Sequence, residues 1–193
     1  MLIPDPVESY VTELKQITLL PGAAEAVREL NDLGVPVVVV TNQAAIAKDL
    51  LTETELRGLH VRLRSQLRKR SRARLDKIYY CPYHPEAELP EYRRDSEDRK
   101  PKPGMLLRAA EELGLDLTRS YMIGDRETDM IAAHRVGCVA IAVRTGPESH
   151  SLLNWNSNGK PDFVVHDLRQ AVELIKSDLI KSERPQSTGK CAQ

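Results

Sequence analysis

Val35 to Val40 is an almost unbroken β-branched run, and it ends on Thr41-Asn42-Gln43. Such a run suits a strand buried on both faces, as in a parallel sheet covered by helices. A chain built around it must therefore supply helices for both sides of the sheet.

The flanking segments meet that demand. Pro21 and Gly22 open an amphipathic helix carrying Ala23, Ala26, Val27, Leu30 and Leu33, and Gly34 stops it. Thr52 and Glu55 form a capping box, followed by Leu56, Leu59, Leu63 and Leu67 on one helical face. Lys77 to Cys81 reads as a strand, and Pro82 to Pro103, rich in proline and charge, as a long loop. A helix is expected over Met105 to Leu113, ended by Gly114. Strands at Tyr121–Gly124, Val139–Val143 and Phe163–Val165 alternate with helices at 127–135 and from Leu168 to about Lys176. That alternation predicts an α/β fold, a doubly wound parallel sheet with helices on both faces. Residues 1–181 are expected to form a single domain and 182–193 a polar, disordered tail. Ligands of such sheets sit beyond the carboxyl ends of the strands.

Composition narrows the function. The 28 basic and 28 acidic residues cancel, so no general attraction to nucleic acid or an anionic membrane is implied. Arg62 to Arg74 is strongly basic, but it lacks aromatic residues for base stacking and reads as a solvated helix face. No apolar run approaches the roughly 20 residues of a membrane span, and the start lacks a secretory pattern. Cys81, Cys138 and Cys191 are too scattered for a disulfide framework, which points to the cytoplasm. His60, His134, His150 and His166 have no carboxylate or cysteine at ligand spacing.

Three runs can carry chemistry. Thr41 projects a hydroxyl at a strand end, beside backbone amides able to accept phosphate oxygens; a plain strand-to-loop junction is the alternative. In Met122-Ile123-Gly124-Asp125-Arg126-Glu127-Thr128-Asp129, Asp125 closes a strand where a carboxylate can hold Mg²⁺, or cap the next helix. Arg99-Lys100-Pro101 places a cation where it could neutralise a transferring phosphoryl group.

Together these runs resemble the haloacid dehalogenase (HAD) superfamily of aspartate-nucleophile phosphohydrolases. Within it they are similar to the heptose 1,7-bisphosphate 7-phosphatase and histidinol-phosphatase family. The resemblance rests on Leu19-Leu20-Pro21-Gly22, Thr41-Asn42-Gln43, Tyr79-Tyr80-Cys81-Pro82, Arg99-Lys100-Pro101-Lys102-Pro103-Gly104-Met105 and Arg144-Thr145-Gly146. It implies a Mg²⁺-dependent phosphomonoesterase acting on a sugar phosphate through an aspartyl-phosphate. Thr41 and Lys100 would steady the phosphoryl group, and Asp125 would bind Mg²⁺. Asn42, Gln43, Arg99 and Arg126 would contact the sugar phosphate. The partner implied is a small molecule, with no nucleic acid or membrane, acted on by a monomer.

Three departures qualify the resemblance. The family's Asp-x-Asp-Gly-Thr motif and its central strand should lie immediately upstream of Leu2-Ile3, and Asp5 is out of register with it. The sheet is thus expected to lack its first central strand, and this chain alone to be inactive; the alternative is a non-catalytic relative. The family's zinc clip would fall on Cys81, Tyr83, Ser96 and Asp98, with His84 one residue out of register, so zinc is not expected. Ala44-Ala45-Ile46-Ala47-Lys48-Asp49 departs from the family's Ser-Gly-Ile-Ala-Arg-Gly in a loop that borders the substrate, which leaves the particular sugar phosphate open. Ile46-Ala47, Tyr79-Tyr80-Cys81-Pro82 and Arg144-Thr145-Gly146 favour the heptose enzyme, with histidinol phosphate the alternative substrate.

Overall fold

The computed structural model describes residues 10–146 and 155–182. Its elements alternate: α1 (Ala23–Asp32), β1 (Val38–Asn42), α2 (Ala44–Ala47), α3 (Glu53–Ser71), β2 (Lys77–Cys81), α4 (Gly104–Leu113), β3 (Tyr121–Gly124), α5 (Glu127–His134), β4 (Val139–Val143), β5 (Phe163–Val165) and α6 (Leu168–Ser182). All strand pairs are parallel. Among the described residues none of the helices is long and apolar enough to cross a membrane.

Period-2 alternation distributes the strand side chains over two helical layers. Val37, Val39, Ile78 and Tyr80 face the α1–α3 cluster, while Val38, Val40, Tyr79 and Cys81 meet Met105 and Ala109 of α4. In the other half, Tyr121, Ile123 and Ile141 pack on α1 and α6, and Met122, Ala140 and Ala142 on α5. Helices therefore cover both faces, as the strand pattern predicts. The Thr52–Glu55 capping box forms, with Glu55 N donating to Thr52 Oγ1 at 3.2 Å and Thr52 N to Glu55 Oε2 at 2.8 Å. It starts α3, which buries Leu56, Leu59, Leu63 and Leu67 at helical spacing and ends on Arg72 at φ 60°.

The described strands form two sheets, β1-β2 and β3-β4-β5. Asp76 N donates to Val37 O and Gln43 N to Cys81 O, each at 2.8 Å, so odd-numbered residues of β1 turn their backbone toward β2. Val38, Val40 and Asn42 consequently turn theirs to the opposite edge. On β3, Val139 N donates to Ser120 O at 3.0 Å, which leaves Tyr121 and Ile123 facing the other way. These two edges run alongside each other: Val37 shares a cluster with Ile123, and Val40 shares another with Met122. The resemblance sets the family's first strand between β1 and β3, and among the described residues no strand joins the two sheets.

Several expectations need correction. β1 is half-buried along its whole length instead of sealed on both faces, because only one of its edges carries a strand among the described residues. Helix α6 runs on to Ser182 instead of stopping near Lys176; Leu179 extends its apolar stripe onto the α1–α6 cluster. Ser182 is therefore helical, and the rest of the expected tail lies outside the described residues, as does His150. Helix α2 has four residues, too few to show a period in the sequence.

Candidate active site

Four separate segments meet at the carboxyl ends of the strands, and Lys100 joins them. Its ammonium donates to Val40 O at 2.8 Å and stands 2.6 Å from Asp129 Oδ1. Its peptide is bound twice by Asn42: Lys100 N donates to Asn42 Oδ1 and Asn42 Nδ2 to Lys100 O, each at 3.0 Å. The lysine side chain is 11 % exposed and that of Asp129 6 %, so their attraction is weakly screened. Asp129 Oδ1 meets the ammonium as an ion contact outside hydrogen-bond direction. Its Oδ2 accepts from Arg126 N at 3.3 Å across the first turn of α5.

Asp125 closes β3 and is 7 % exposed. Among the described residues its Oδ2 has no hydrogen-bond partner. Burial pushes its carboxyl up from the ordinary range and the neighbouring Asp129 adds to this, while Arg126 and Lys100 oppose it. Two glycines seat the acid pair. A Cβ on Gly124 would lie 2.2 Å from Asp129 Oδ2, and one on Gly146 would lie 2.1 Å from Asp125 Cβ. Only the absence of a side chain lets these backbones come so close.

Thr41 Oγ1 accepts from Gln43 Nε2 at 3.1 Å. Its own contact with Asn42 O is 3.5 Å, at the limit of a hydrogen bond, so its proton remains available to an anion. Arg99 turns to the neighbouring loop, where Nη1 donates to Tyr83 O at 3.3 Å, and burial lowers its pKa. Arg126 is exposed at the start of α5. The predicted residues thus divide: Asn42 and Lys100 are bonded to each other, and Lys100 acts electrostatically on Asp125. Thr41 is braced by Gln43 at the end of β1, Arg99 bonds to the loop at Tyr83, and Arg126 starts α5 beside Asp125.

Asp129 takes a larger part than a local reading gives it. With Asp125 it brackets the turn into a helix; its pairing with a lysine 29 positions earlier is visible only once the loop before α4 folds across the sheet end.

The match to known proteins follows this geometry. A family model described as HAD-hydrolase-like matches residues 98–171. A D-glycero-D-manno-heptose-1,7-bisphosphate 7-phosphatase of Thermosynechococcus vestitus is 38% identical over 88% of this chain and 89% of its own length. The chain belongs to the heptose-bisphosphate phosphatase family of HAD-like hydrolases. The Escherichia coli D-glycero-beta-D-manno-heptose-1,7-bisphosphate 7-phosphatase is 39% identical over 85% of each chain. The crystal structure of D,D-heptose 1,7-bisphosphate phosphatase from B. bronchiseptica, complexed with magnesium and phosphate, superposes with a TM-score of 0.78. It covers 92% of this chain and 94% of its own, at 25% identity.

For this member of the heptose-bisphosphate phosphatase family the implied metals differ in fit. Two buried carboxylates, one with an unpartnered oxygen, are the hard donors that Mg²⁺ takes alongside waters and substrate phosphate. For zinc the donor set is poor: of the clip positions Cys81, Tyr83, Ser96 and Asp98, one is a cysteine and none a histidine. Cys81 Sγ lies 3.8 Å from Tyr83 O and contacts Ser96, and burial raises its thiol pKa. The loop is instead tied by Arg94 stacked 3.5 Å over Tyr83 and by Tyr92 donating to Glu53 at 3.1 Å.

Two histidines lie beside carboxylates, one distant in the chain and one adjacent. His134 Nε2 lies 3.3 Å from Asp162 Oδ2, and His166 Nδ1 3.4 Å from Asp167 Oδ2. His134, Cys138, Asp162 and Phe163 line an open depression of about 590 Å³. It lies at the amino ends of β4 and β5, on the side of the sheet away from Asp125, and has no part in the site.

Proposed function

We propose that this chain is a Mg²⁺-dependent phosphomonoesterase of sugar bisphosphates whose substrate is D-glycero-D-manno-heptose 1,7-bisphosphate, cleaved at the 7-phosphate. The observation carrying this reading is the Lys100 ammonium, held between Val40 O and Asp129 beside the unpartnered Asp125 oxygen. An ammonium has three protons and Val40 O takes one, so donor capacity remains for a phosphoryl oxygen. The Thr41 hydroxyl supplies a second donor. Asp125, with Asp129 behind it, would hold Mg²⁺, which when bound neutralises phosphoryl charge. Gln43, Arg99 and Arg126 are assigned to the sugar phosphate.

The name of the 38% identical relative supports the choice of substrate, and the magnesium and phosphate of the B. bronchiseptica structure support the cofactor. We take residues 1–181 as one functional unit working as a monomer. The free, buried thiols of Cys81 and Cys138 suit a reducing cytoplasm.

The family's attacking aspartate has no counterpart in the cluster among the described residues. From the register of the family's motif, in which Asp5 does not match the attacking aspartate, residues 1–193 alone are expected to bind substrate without releasing phosphate. Calorimetry with Mg²⁺ is expected to show the heptose bisphosphate competing with inorganic phosphate and binding at least about tenfold tighter than histidinol phosphate. Equal affinities would refute the substrate assignment. Turnover is expected only once an Asp-x-Asp-Gly-Thr strand precedes Leu2. Phosphate release by the chain alone, abolished by Asp125→Ala, would instead reveal an attacking group within these residues.

A further inference from the structure

We infer that Asn42 is a positioning residue for Lys100, clamping the lysine's peptide so that its ammonium stays aimed into the phosphate pocket. The inference rests on the phosphatase reading and deepens it. It changes Asn42 from a sugar-phosphate contact into the part that holds Lys100 in place.

The geometry is a two-point match. A carboxamide offers one acceptor and one donor side by side, as a peptide group does. Asn42 Oδ1 accepts from Lys100 N and Asn42 Nδ2 donates to Lys100 O, both at 3.0 Å, across 58 residues of sequence. Asp could not donate, Ser could make one bond only, and Gln would push the loop outward by one methylene. The clamp also acts where the loop needs it. The next residue, Pro101, has no N–H to give, and its carbonyl is held from the other side by Arg135 Nη1 at 2.9 Å. Lys100 thus has its main chain fixed to the end of β1 and its side chain reaching back to Val40 O on the same strand.

A long, flexible ammonium side chain loses much entropy when it is fixed. Anchoring its root in advance removes part of that cost from ligand binding, which is preorganisation in the ordinary sense. The clamp uses one N–H and one lone pair of the Asn42 amide, so the orientation of that amide is set by the Lys100 peptide.

Two measurements test the inference. Calorimetry with inorganic phosphate in Mg²⁺ is run on wild type, Asn42→Ala, Lys100→Met and the double variant. Asn42→Ala is expected to weaken binding about tenfold and Lys100→Met about ten- to a hundredfold. In the Lys100→Met background, Asn42→Ala is expected to cost nothing further, because the group it positions is gone. Asn42→Ser, which keeps one bond, should fall between wild type and alanine and preserves a folded reference. Additive losses, or full affinity in Asn42→Ala, would overturn the inference. Amide hydrogen exchange gives a readout independent of ligand: the Lys100 N–H should lose protection in Asn42→Ala while neighbouring β1 amides keep theirs. Unchanged protection overturns the clamp even if phosphate binds as proposed. Failure of wild type to bind phosphate, with the protection loss seen, overturns the phosphatase reading and leaves the clamp standing.

Discussion

Lys100 and Asp129 meet at 2.6 Å with both side chains nearly sealed from solvent. Removing one member of such a pair leaves a buried charge uncompensated. Asp129→Ala is expected to lower the unfolding free energy by about 3–5 kcal/mol in urea titrations. Replacing both by apolar residues, Lys100→Met with Asp129→Leu, should recover much of that loss while phosphate binding stays absent. An Asp129→Ala loss under about 1 kcal/mol would mean that the pair behaves like an exposed surface bridge.

Gly146 lies against Asp125 so closely that a Cβ would come 2.1 Å from the aspartate's own Cβ. Gly146→Ala must therefore move the carboxylate or the chain after β4. Overpacking of this kind costs about 1–3 kcal/mol, and Mg²⁺-dependent phosphate binding should weaken with it. Thermal melting and calorimetry on the same variant check both halves.

Asp125 is unfavourable in its charged form without metal, chiefly through burial and then through Asp129. A raised carboxylate pKa places the penalty above the folded-state value and removes it below the unfolded one. Asp125→Asn should therefore melt higher than wild type at neutral pH in chelator, and the gap should close as pH falls through the carboxylate range. Saturating Mg²⁺ should stabilise wild type, by about 2.7 kcal/mol at a hundredfold excess over Kd, and leave Asp125→Asn unmoved. Equal Mg²⁺ responses would remove Asp125 from the metal site.

Tyr80 and Tyr121 have hydroxyls pushed up to about 12, first by burial and then by hydrogen bonds to Glu53 and Asp178. A group whose folded pKa is raised contributes stability that is intact below the unfolded value near 10 and is lost as pH climbs through the folded one. The absorbance of these two tyrosinates should therefore centre on about pH 12, with stability falling as pH climbs from about 10 toward that value. Glu53→Gln should bring part of that absorbance to lower pH.

Most strands are legible in the sequence because their side chains alone decide them; the exception is β1, which the β-branched run places at Val35 to Val40 and the structure at Val38–Asn42. Tyr121–Gly124 and Val139–Val143 are short apolar runs bounded by glycine or charge, and the structure keeps both boundaries. Thr52 with Glu55 announces the start of α3 by the same local logic. Partners distant in the chain are not legible. The Asn42 clamp, the Asp129 contact with Lys100 and the approach of Gly146 to Asp125 join residues 58, 29 and 21 positions apart. Each arises when parallel strands bring their carboxyl ends into line, so no spacing rule along the chain contains them. The half-burial of β1 has a similar origin, since an edge depends on which strand lies beside it.

The central claim is that Thr41, Lys100 and Asp125 serve one anion together with Mg²⁺. Calorimetric titration of inorganic phosphate tests it most directly, on wild type and on Thr41→Val, Lys100→Met and Asp125→Asn, with and without Mg²⁺. Binding is expected to need Mg²⁺ in wild type and to weaken at least about tenfold in each variant. Phosphate bound equally well without Mg²⁺, or with full affinity in any one of the three variants, would contradict a shared site.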